Sequence, residues 1–361
     1  MNLDVTAAST AVGSTATPEM TLAGPRSASD ILAWTRALIE PVLRAQVDRL
    51  PAHLRHIAGY HFGWWGVGGS SERAVSGKAL RPALALLAAE AMGGTAQAAA
   101  PVAVAVELAH NFSLVHDDVI DGDRTRRHRP TVSAVFGTPA AILAGDALLL
   151  LTLRVLAEDS AVDGGHGLAR LSDALLRLAE GEHGDVAFET LAEVGLDECV
   201  AMAAAKTGAL FGCACALGSL RGGADPARAE LMRDFGEHLG VAFQLVDDLL
   251  GIWGDPRVTG KPILGDLRAR KKSLPVVAAL VSGTTAGRKL AEVYRRDAPM
   301  DEAVLRQAAD LVAEAGGRAW AQEEAARRLG AGLSCLEASR PRVQPARELT
   351  ALAHLVTRRD R

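Results

Sequence analysis

The stretch PVAVAVELAHNF, residues 101–112, runs without interruption into SLVHDDVIDGDRTRRHRPT, residues 113–131. The first part is almost wholly apolar and predicts a buried helix. If the helix continues, Asp117 and Asp121 share one face, while Asp118 points about 100° away from Asp117. Burying ionised carboxylates is costly unless a cation compensates them. The stretch therefore predicts a functional acidic site inside a helical fold.

The composition of the chain favours an all-α fold. Hydrophobic residues make up 49% of its 361 residues and aromatic residues only 4%. Ala and Leu dominate, and both are strong helix formers, whereas strands prefer β-branched and aromatic residues. We expect one compact helical domain over residues 29–361, after a disordered tail, residues 1–28, that is rich in Ala, Ser, Thr and Gly. Helices are expected near residues 27–50, 78–94, 93–119, 138–158, 165–189, 195–219, 226–250, 272–282, 286–296, 301–315, 317–338 and 345–358.

Charge and hydropathy argue against several classes of protein. The net charge is -4 and the pI is about 6.2, so no strongly basic face for nucleic acid is indicated. The most apolar stretch, residues 139–157, carries Asp146 and Arg154, which favours a buried helix of a soluble protein over a membrane span. The four cysteines form no CxxC pair, which is typical of reduced thiols in a cytoplasmic protein.

A second acidic pair, Asp247 and Asp248, lies in the apolar segment VAFQLVDDLLGIWGD, with Gln244 one turn earlier. Basic residues follow the first acidic motif or punctuate the rest of the chain: Arg124, Arg126, Arg127, Arg129, Lys206, Lys261, Lys271 and Lys272. Paired carboxylates suit Mg²⁺ with several waters and a phosphate, and arginine pairs with phosphate oxygens in bidentate fashion. The pattern indicates a magnesium-bridged polyanion such as a diphosphate. A single motif of this kind also occurs at helix ends and on solvated faces, which is the alternative interpretation.

The chain resembles the trans-isoprenyl diphosphate synthases, also called the polyprenyl synthetase family, from about residue 30 to its C-terminus. The matching motifs are GKALRP (77–82), HNFSLVHDDVIDGDRTRRHRPT (110–131), EGEHGD (180–185), KTGALF (206–211), FQLVDDLLGIWGD (243–255), GKPILGDL (260–267) and RKKSLP (270–275). The resemblance implies an all-α bundle of the isoprenoid synthase type around a central cavity. Two positions depart from the family: Glu182 stands where Gln is usual, and Gly251 stands where the second acidic motif usually ends in Asp.

The resemblance also implies a role for each matching residue. Asp117 and Asp121 would bind two Mg²⁺ ions with Asp118 in support, and Asp247 would bind a third ion. Residues implied to hold the allylic diphosphate are Arg126, Lys206, Thr207, Gln244, Lys261 and Lys271. Residues implied to hold isopentenyl diphosphate are Lys78, Arg81, His110 and Arg127. Without the resemblance, His110 would be an ordinary buried histidine, and Lys78 and Arg81 a solvated helix start.

The implied activity is a prenyltransferase that joins isopentenyl diphosphate to an allylic diphosphate, in a homodimer without a membrane span. Phe112, which periodicity alone would make a core residue, is implied by the resemblance to be the floor of the tail site. The small Ser113 and the absence of two extra residues inside DDVID resemble family members that make geranylgeranyl diphosphate, with farnesyl diphosphate as the alternative. A terpene cyclase and a non-catalytic subunit of a heteromeric synthase are the other candidates. The complete second-substrate set favours the transferase over a cyclase. Departures at Gly251 and Glu182 alone favour it over a non-catalytic subunit.

Overall fold

The computed structural model describes residues 24–71, 77–159, 166–254, 263–296 and 298–357. The helices in these ranges are α1 (Ala28–Val47), α2 (Ala52–His61), α3 (Leu80–Met92), α4 (Ala96–Ile120), α5 (Val132–Phe136), α6 (Thr138–Glu158), α7 (His166–Thr190), α8 (Leu196–Ala203), α9 (Ala209–Arg221), α10 (Pro226–Trp253), α11 (Gly265–Arg268), α12 (Leu274–Leu280), α13 (Thr285–Tyr294), α14 (Glu302–Glu314), α15 (Gly317–Ala338) and α16 (Val343–Thr357). A two-stranded antiparallel hairpin, β1 (Thr125–Arg126) and β2 (Arg129–Pro130), follows α4. A π-helical segment, Ala204–Gly208, joins α8 to α9. The all-α prediction is confirmed.

Helices α6 and α15 have the bounds predicted for 138–158 and 317–338. Helix α2 and the hairpin were not predicted. Helix α2 contains three histidines and Gly59, and its stability comes from tertiary contact. A Cβ at Gly59 would lie 2.0 Å from the Trp65 ring, whose Nε1 donates to His56 O at 2.8 Å. Each strand of the hairpin is two residues long, which is too short to show alternation.

Close contacts between helix backbones hold the centre of the bundle together. Helix α4 packs against α3, α6 and α9, and α10 packs against α9 and α15. A Cβ at Gly218 would lie 2.1 Å from Ala85 O in α3. A Cβ at Gly236 would lie 2.5 Å from Phe211 O in α9. Glycine at these positions lets α9 approach both neighbours, which brings the chain around residue 206 close to α10.

The last residues of the predicted tail, around Arg26, are bound to the helical bundle. Residues 1–23 lie outside the described residues, so the expected disorder of that part stays a prediction. Arg26 donates through Nε to both oxygens of the buried Glu348 at 3.0 Å and through Nη2 to Glu90 at 2.8 Å. Its guanidinium lies 3.8 Å from the centre of the Trp34 ring. The chain is thus bound to the bundle from Arg26 onward.

Three stretches of helix are long and apolar enough to cross a bilayer by length and composition, namely Ala96–Ile120, Thr138–Glu158 and Leu196–Arg221. Two of them have 67% of their most apolar window buried inside the protein, and Thr138–Glu158 has 50%. Packing inside the protein therefore largely explains the apolar character of Ala96–Ile120 and Leu196–Arg221. The middle one leaves an apolar face exposed.

Candidate active site

The first acidic motif occupies the C-terminal end of α4. Asp117 and Asp118 lie in its last turn, and Asp121 is its C-cap, whose backbone N–H donates to Asp117 O at 2.8 Å. This is the negative end of the helix dipole, where carboxylates are destabilised unless a cation is near. Burial and the neighbouring carboxylates, Glu182 first and then Asp121, raise the pKa of Asp117 to about 7. The charges of Lys206 and Arg126 act in the opposite direction without outweighing burial and the neighbouring carboxylates.

Asp118 faces the hairpin. Its side chain is 1% exposed, and its Oδ1 accepts a hydrogen bond from Arg126 Nε at 2.7 Å. The turn between β1 and β2 has positive φ at Arg127 and His128, and it folds the basic run back toward the end of α4. The family resemblance implied that Asp118 supports a metal ion and that Arg126 binds a diphosphate. In this structure the two side chains form an ion pair with each other.

A lysine and carboxylate cluster, defined here as Glu182, Asp185, Lys206 and Lys271, lies beside the first motif. Lys206 Nζ is 2.7 Å from both Asp185 Oδ2 and Glu182 Oε2, and Lys271 Nζ is 3.2 Å from Asp185 Oδ2. The π-helical segment carries Lys206 against α7, where a Cβ at Gly181 would lie 2.3 Å from Lys206 N. Such single-turn π segments are frequent at functional sites.

Lys271 connects the two acidic motifs. Burial alone lowers the pKa of its ammonium, but the charges of Asp185, Asp248, Asp266 and Asp121 outweigh burial and raise it. The first and second motifs, separated by more than a hundred residues in the sequence, are therefore close enough in space to act on one cation.

The second acidic motif lies near the C-terminal end of α10. Thr207 Oγ1 donates to Gln244 Oε1 at 2.8 Å, and Gln244 Nε2 donates to Asp248 Oδ1 at 2.7 Å. Asp248 Oδ2 accepts from the backbone N–H of Leu274 at 2.9 Å, which caps the start of α12. Burial, and then the charge of Asp266, raise the pKa of Asp248 to about 7. Asp248 is a buried structural acceptor, whereas the neighbouring Asp247 is half-buried.

Gly251 is the position where the family motif usually carries its last carboxylate. A Cβ at this buried glycine would lie 2.2 Å from Asp266 Oδ2. The carboxylate of Asp266, from α11, therefore occupies the space beside α10 that a side chain at 251 would need. The second motif thus lacks the carboxylate that the family usually has at position 251, and the Asp266 carboxylate lies next to that position.

The predicted isopentenyl diphosphate group surrounds the entry to α3. A Cβ at Gly77 would lie 2.8 Å from Arg127 Nη2, so the guanidinium of Arg127 reaches over the backbone next to Lys78. The guanidinium of Arg81 lies 4.6 Å from the centre of the Phe211 ring. Burial, followed by the charges of Arg81 and Arg127, lowers the pKa of His110 well below its ordinary value. The structure thus brings these positions into one neighbourhood with surplus positive charge.

Three residues that were not predicted from the sequence form a hydrogen-bonded chain next to this group. His61 Nε2 donates to Asn111 Oδ1 at 3.0 Å, and Asn111 Nδ2 donates to Glu107 Oε1 at 3.1 Å. Burial raises the pKa of Glu107, while the charges of Arg81 and Arg127 act in the opposite direction. An acid inside the otherwise apolar run PVAVAVELA was a signal for Glu107; the sequence offers none for His61.

A cleft opens between the hairpin and α2. It is lined by Tyr60, His61, Gly63, Asp118, Arg126, Arg127, Arg129, Pro130, Thr131 and Val132. Three arginines face one carboxylate across it, so the cleft is suited to anions. Lys261, predicted to contact the allylic diphosphate, lies outside the described residues.

The predicted chain-length residues lie one turn below the first motif. Phe112 is partly buried, with its ring edge-on to that of His116 at 5.6 Å between centres. Ser113 is 8% exposed, and its hydroxyl donates to His110 O at 2.9 Å. Ser113 precedes Asp117 by four residues and therefore lies on the same side of α4.

The donor set fits a divalent cation that is completed by other ligands. Within the part of the chain that the structure describes, no three His, Cys, Asp or Glu side chains are grouped closely enough to hold a metal ion by themselves. Asp117 and Asp121 supply hard carboxylate oxygens at the end of α4. Such oxygens match Mg²⁺, which keeps several waters and binds through one or two carboxylates plus substrate phosphates.

Comparison with known proteins decides the family. A sequence profile of the family described as polyprenyl synthetase matches residues 70–312, which is more than half of the chain. The chain belongs to the polyprenyl synthetase family. It is therefore a trans-prenyltransferase of isoprenoid biosynthesis with the all-α isoprenoid synthase fold.

Relatives of this chain match nearly its whole length. A (2E,6E)-farnesyl diphosphate synthase of Mycobacterium bovis is 45% identical over 335 residues, which cover 91% of this chain and 93% of the relative. A geranylgeranyl diphosphate synthase of Mycobacterium tuberculosis is also 45% identical, over 332 residues, with the same coverage. The crystal structure of a polyprenyl synthetase from Streptomyces coelicolor A3(2) matches with a TM-score of 0.86 and 46% identity, covering 90% of this chain and 98% of that one.

Proposed function

We propose that this protein condenses isopentenyl diphosphate with an allylic diphosphate in a magnesium-dependent reaction that yields geranylgeranyl diphosphate. One observation carries the proposal: Lys206 and Lys271 share Asp185 as an ion-pair partner, and Lys271 is also acted on by the charges of Asp121 in the first acidic motif and Asp248 in the second. Carboxylates, lysines and arginines in this arrangement suit a diphosphate bridged by divalent cations.

Asp117, Asp121 and Asp247 are the residues that would hold the cations, three per active site by the family resemblance. A bound divalent cation neutralises diphosphate oxygens as negative charge develops on them. Lys206, Lys271 and Arg126, with Thr207, Gln244 and Lys261, would contact the allylic diphosphate. Lys206 and Arg126 exchange their present carboxylate partners for the diphosphate on binding.

The reaction requires the allylic carbon–oxygen bond to break, with its electrons leaving on the diphosphate. Cationic side chains around the leaving group stabilise the developing negative charge. The double bond of isopentenyl diphosphate then attacks the allylic carbon, and a proton leaves the neighbouring carbon for the departing diphosphate. Five carbons are added, and the product is again an allylic diphosphate.

The second substrate would bind at Lys78, Arg81, His110 and Arg127. The low pKa of His110 keeps its imidazole neutral at physiological pH, so it acts there as a hydrogen-bonding group. The two arginines supply the fixed positive charge, because a guanidinium stays protonated and binds phosphate oxygens in bidentate fashion.

The geranylgeranyl assignment rests on the small Ser113 on the Asp117 side of α4, which leaves room for a tail one turn below the acidic motif. Relatives of equal identity make farnesyl and geranylgeranyl diphosphate, so overall similarity does not choose between them. Phe112 would form the floor of the tail site. Farnesyl diphosphate is the alternative product.

A cyclase or a non-catalytic subunit is distinguished by one assay. Purified protein is given Mg²⁺ and farnesyl diphosphate, with and without isopentenyl diphosphate. We expect pyrophosphate release only when isopentenyl diphosphate is present. Release from farnesyl diphosphate alone, with a hydrocarbon product, would identify a cyclase. No release in either case, repeated with geranyl diphosphate as the starter, would identify a non-catalytic chain.

We also propose a homodimer in the cytoplasm, with α6 and α7 at the interface. Leu143 and Leu150, seven residues apart on one face of α6, are 58% and 66% exposed, and Leu176 of α7 is 67% exposed. An apolar face of this kind is suited to a second copy. Sedimentation at micromolar concentration should give twice the chain mass of 37.7 kDa; a monomer would contradict the dimer.

A further inference from the structure

Glu182 is a buried carboxylate for which the diphosphate chemistry has so far assigned no role. The residue is 8% exposed, and within the described part of the chain neither of its oxygens accepts a hydrogen bond. Its close partner is Lys206, whose Nζ is 2.7 Å from Oε2 as an ion pair without hydrogen-bond geometry. An ionised group in this position is costly to bury, and an amide would cost less.

The charges of the lysine and carboxylate cluster cancel. Lys206 and Lys271 carry two positive charges, and Asp185 and Glu182 carry two negative charges, with 2.7 to 3.2 Å between partners. With an amide at 182 the same cluster would have one surplus positive charge. Asp117 also acts on Lys206, and Asp121, Asp248 and Asp266 also act on Lys271. The carboxylate at 182 therefore makes the surroundings of the two lysines more negative and weakens their attraction for a free diphosphate.

Glu182 also acts on the first acidic motif. Lys206 Nζ is 2.7 Å from Glu182 Oε2, and Asp117 acts on the same lysine, so the carboxylates of Glu182 and Asp117 lie close enough to repel each other. The extra negative charge strengthens attraction for a cation at the same place where it weakens attraction for an anion.

We infer that Glu182 makes diphosphate binding at Lys206 depend on prior or simultaneous binding of a divalent cation. Without the cation, the lysines are compensated by Asp185 and Glu182, and a diphosphate meets buried carboxylates. With the cation, the carboxylates have a new partner and the lysines are released to the diphosphate. The inference rests on the proposed function, and it makes Glu182 a positioning residue that acts through Lys206 and the cation.

The test uses inorganic pyrophosphate and Mn²⁺ as probes, so it requires no prenyl transfer. Titration calorimetry measures pyrophosphate binding in the presence of a chelator, and electron paramagnetic resonance measures Mn²⁺ binding without pyrophosphate. Glu182→Gln should bind metal-free pyrophosphate about tenfold more tightly than wild type and Mn²⁺ about threefold more weakly. Glu180→Gln, at an exposed position of the same helix, is the matched control and should change neither affinity.

Opposite shifts of the two affinities support the inference, because a purely structural defect would weaken both. Unchanged affinities, or a parallel loss of both in Glu182→Gln, would overturn it. Wild-type protein that binds pyrophosphate equally well with and without Mn²⁺ would overturn it while leaving the transferase proposal standing. Wild-type protein that binds no pyrophosphate under either condition would contradict both.

Discussion

Single residues at the end of α4 carry the densest chemistry of the molecule. The sequence predicted that Asp117 and Asp121 share a face, and the structure places them at the negative end of the helix dipole. It did not predict that Asp118 is buried against Arg126, or that Asp248 caps α12, because adjacent aspartates in one motif look alike in sequence. Only the tertiary contacts distinguish Asp118 and Asp248, which are buried and hydrogen-bonded, from the less buried Asp117 and Asp247.

Replacing Asp117 or Asp121 by Ala should nearly abolish turnover, since each removes a carboxylate from the proposed cation site. Steady-state kinetics at saturating Mg²⁺ measures the effect, with the exposed Asp123→Ala as control. Retention of more than about a tenth of wild-type kcat, a loss below ~1.4 kcal/mol, would contradict the assignment.

Arg127→Ala or Lys78→Ala should raise KM for isopentenyl diphosphate by about tenfold or more, with a smaller effect on KM for the allylic substrate. Arg127 lies beside the backbone of Gly77 at the entry to α3, where Lys78 follows in the chain. The measurement varies each substrate in turn at saturating levels of the other. A change confined to the allylic substrate would show that the two sites are assigned the wrong way round.

His61 should make the protein sensitive to mild acid. Burial, followed by the charge of Arg127, lowers the pKa of His61 to about 3, against an ordinary value of 6.5. Between these values the unfolded chain binds a proton that the folded chain does not, so stability falls as pH falls below about 6.5. This group accounts for up to ~2 kcal/mol of lost unfolding free energy between pH 7 and pH 5.

Urea unfolding in the presence of a chelator measures this loss in wild type and in His61→Gln, which keeps a donor for Asn111. The variant should lose less stability between pH 7 and pH 5 than wild type. Equal losses would mean that His61 is protonated in the folded protein.

At the scale of secondary structure, helices with strong apolar periodicity were predictable from the sequence. Elements that depend on tertiary contacts were not. Helices α6 and α15 carry long apolar periodicity and have the predicted bounds. Helix α2 depends on Trp65 packing against Gly59, and the hairpin depends on positive φ at Arg127 and His128. Neither contact leaves a periodic signal in the sequence.

Contact between α10 and α11 should make Gly251→Asp destabilising, although it restores the usual family residue. The new side chain would meet the Asp266 carboxylate, and overpacking with like charge should cost about 1–3 kcal/mol. Thermal unfolding of the metal-free protein measures the change. The double variant Gly251→Asp with Asp266→Gly should recover part of the loss; full stability of the single variant would show that Asp266 does not occupy this space.

The turn of α4 below the acidic motif should set the product length. Phe112→Ala should open the floor and give longer products, and Ser113→Phe should shorten them to farnesyl or geranyl diphosphate. Mass spectrometry of the products measures both effects. An unchanged distribution in both variants would mean that other residues form the floor.

At the scale of the whole molecule, the bundle brings together motifs that are far apart in the sequence. Packing of α9 against α3 and α10 places Lys206 between α7 and α10. Lys271 interacts electrostatically with carboxylates of both acidic motifs. The sequence alone identified the charged residues of the motifs. It could not show that Glu182 neutralises Lys206 or that Asp266 lies against Gly251, because both contacts depend on how the helices pack.

The central claim is that these motifs form one condensing site, and product analysis tests it most directly. Purified protein is incubated with Mg²⁺, isopentenyl diphosphate and, in separate reactions, dimethylallyl, geranyl or farnesyl diphosphate. We predict all-trans products longer by multiples of five carbons, ending at geranylgeranyl diphosphate, with one pyrophosphate released for each isopentenyl diphosphate consumed and no reaction in a chelator. Failure to incorporate isopentenyl diphosphate with any of the three starters would contradict the account.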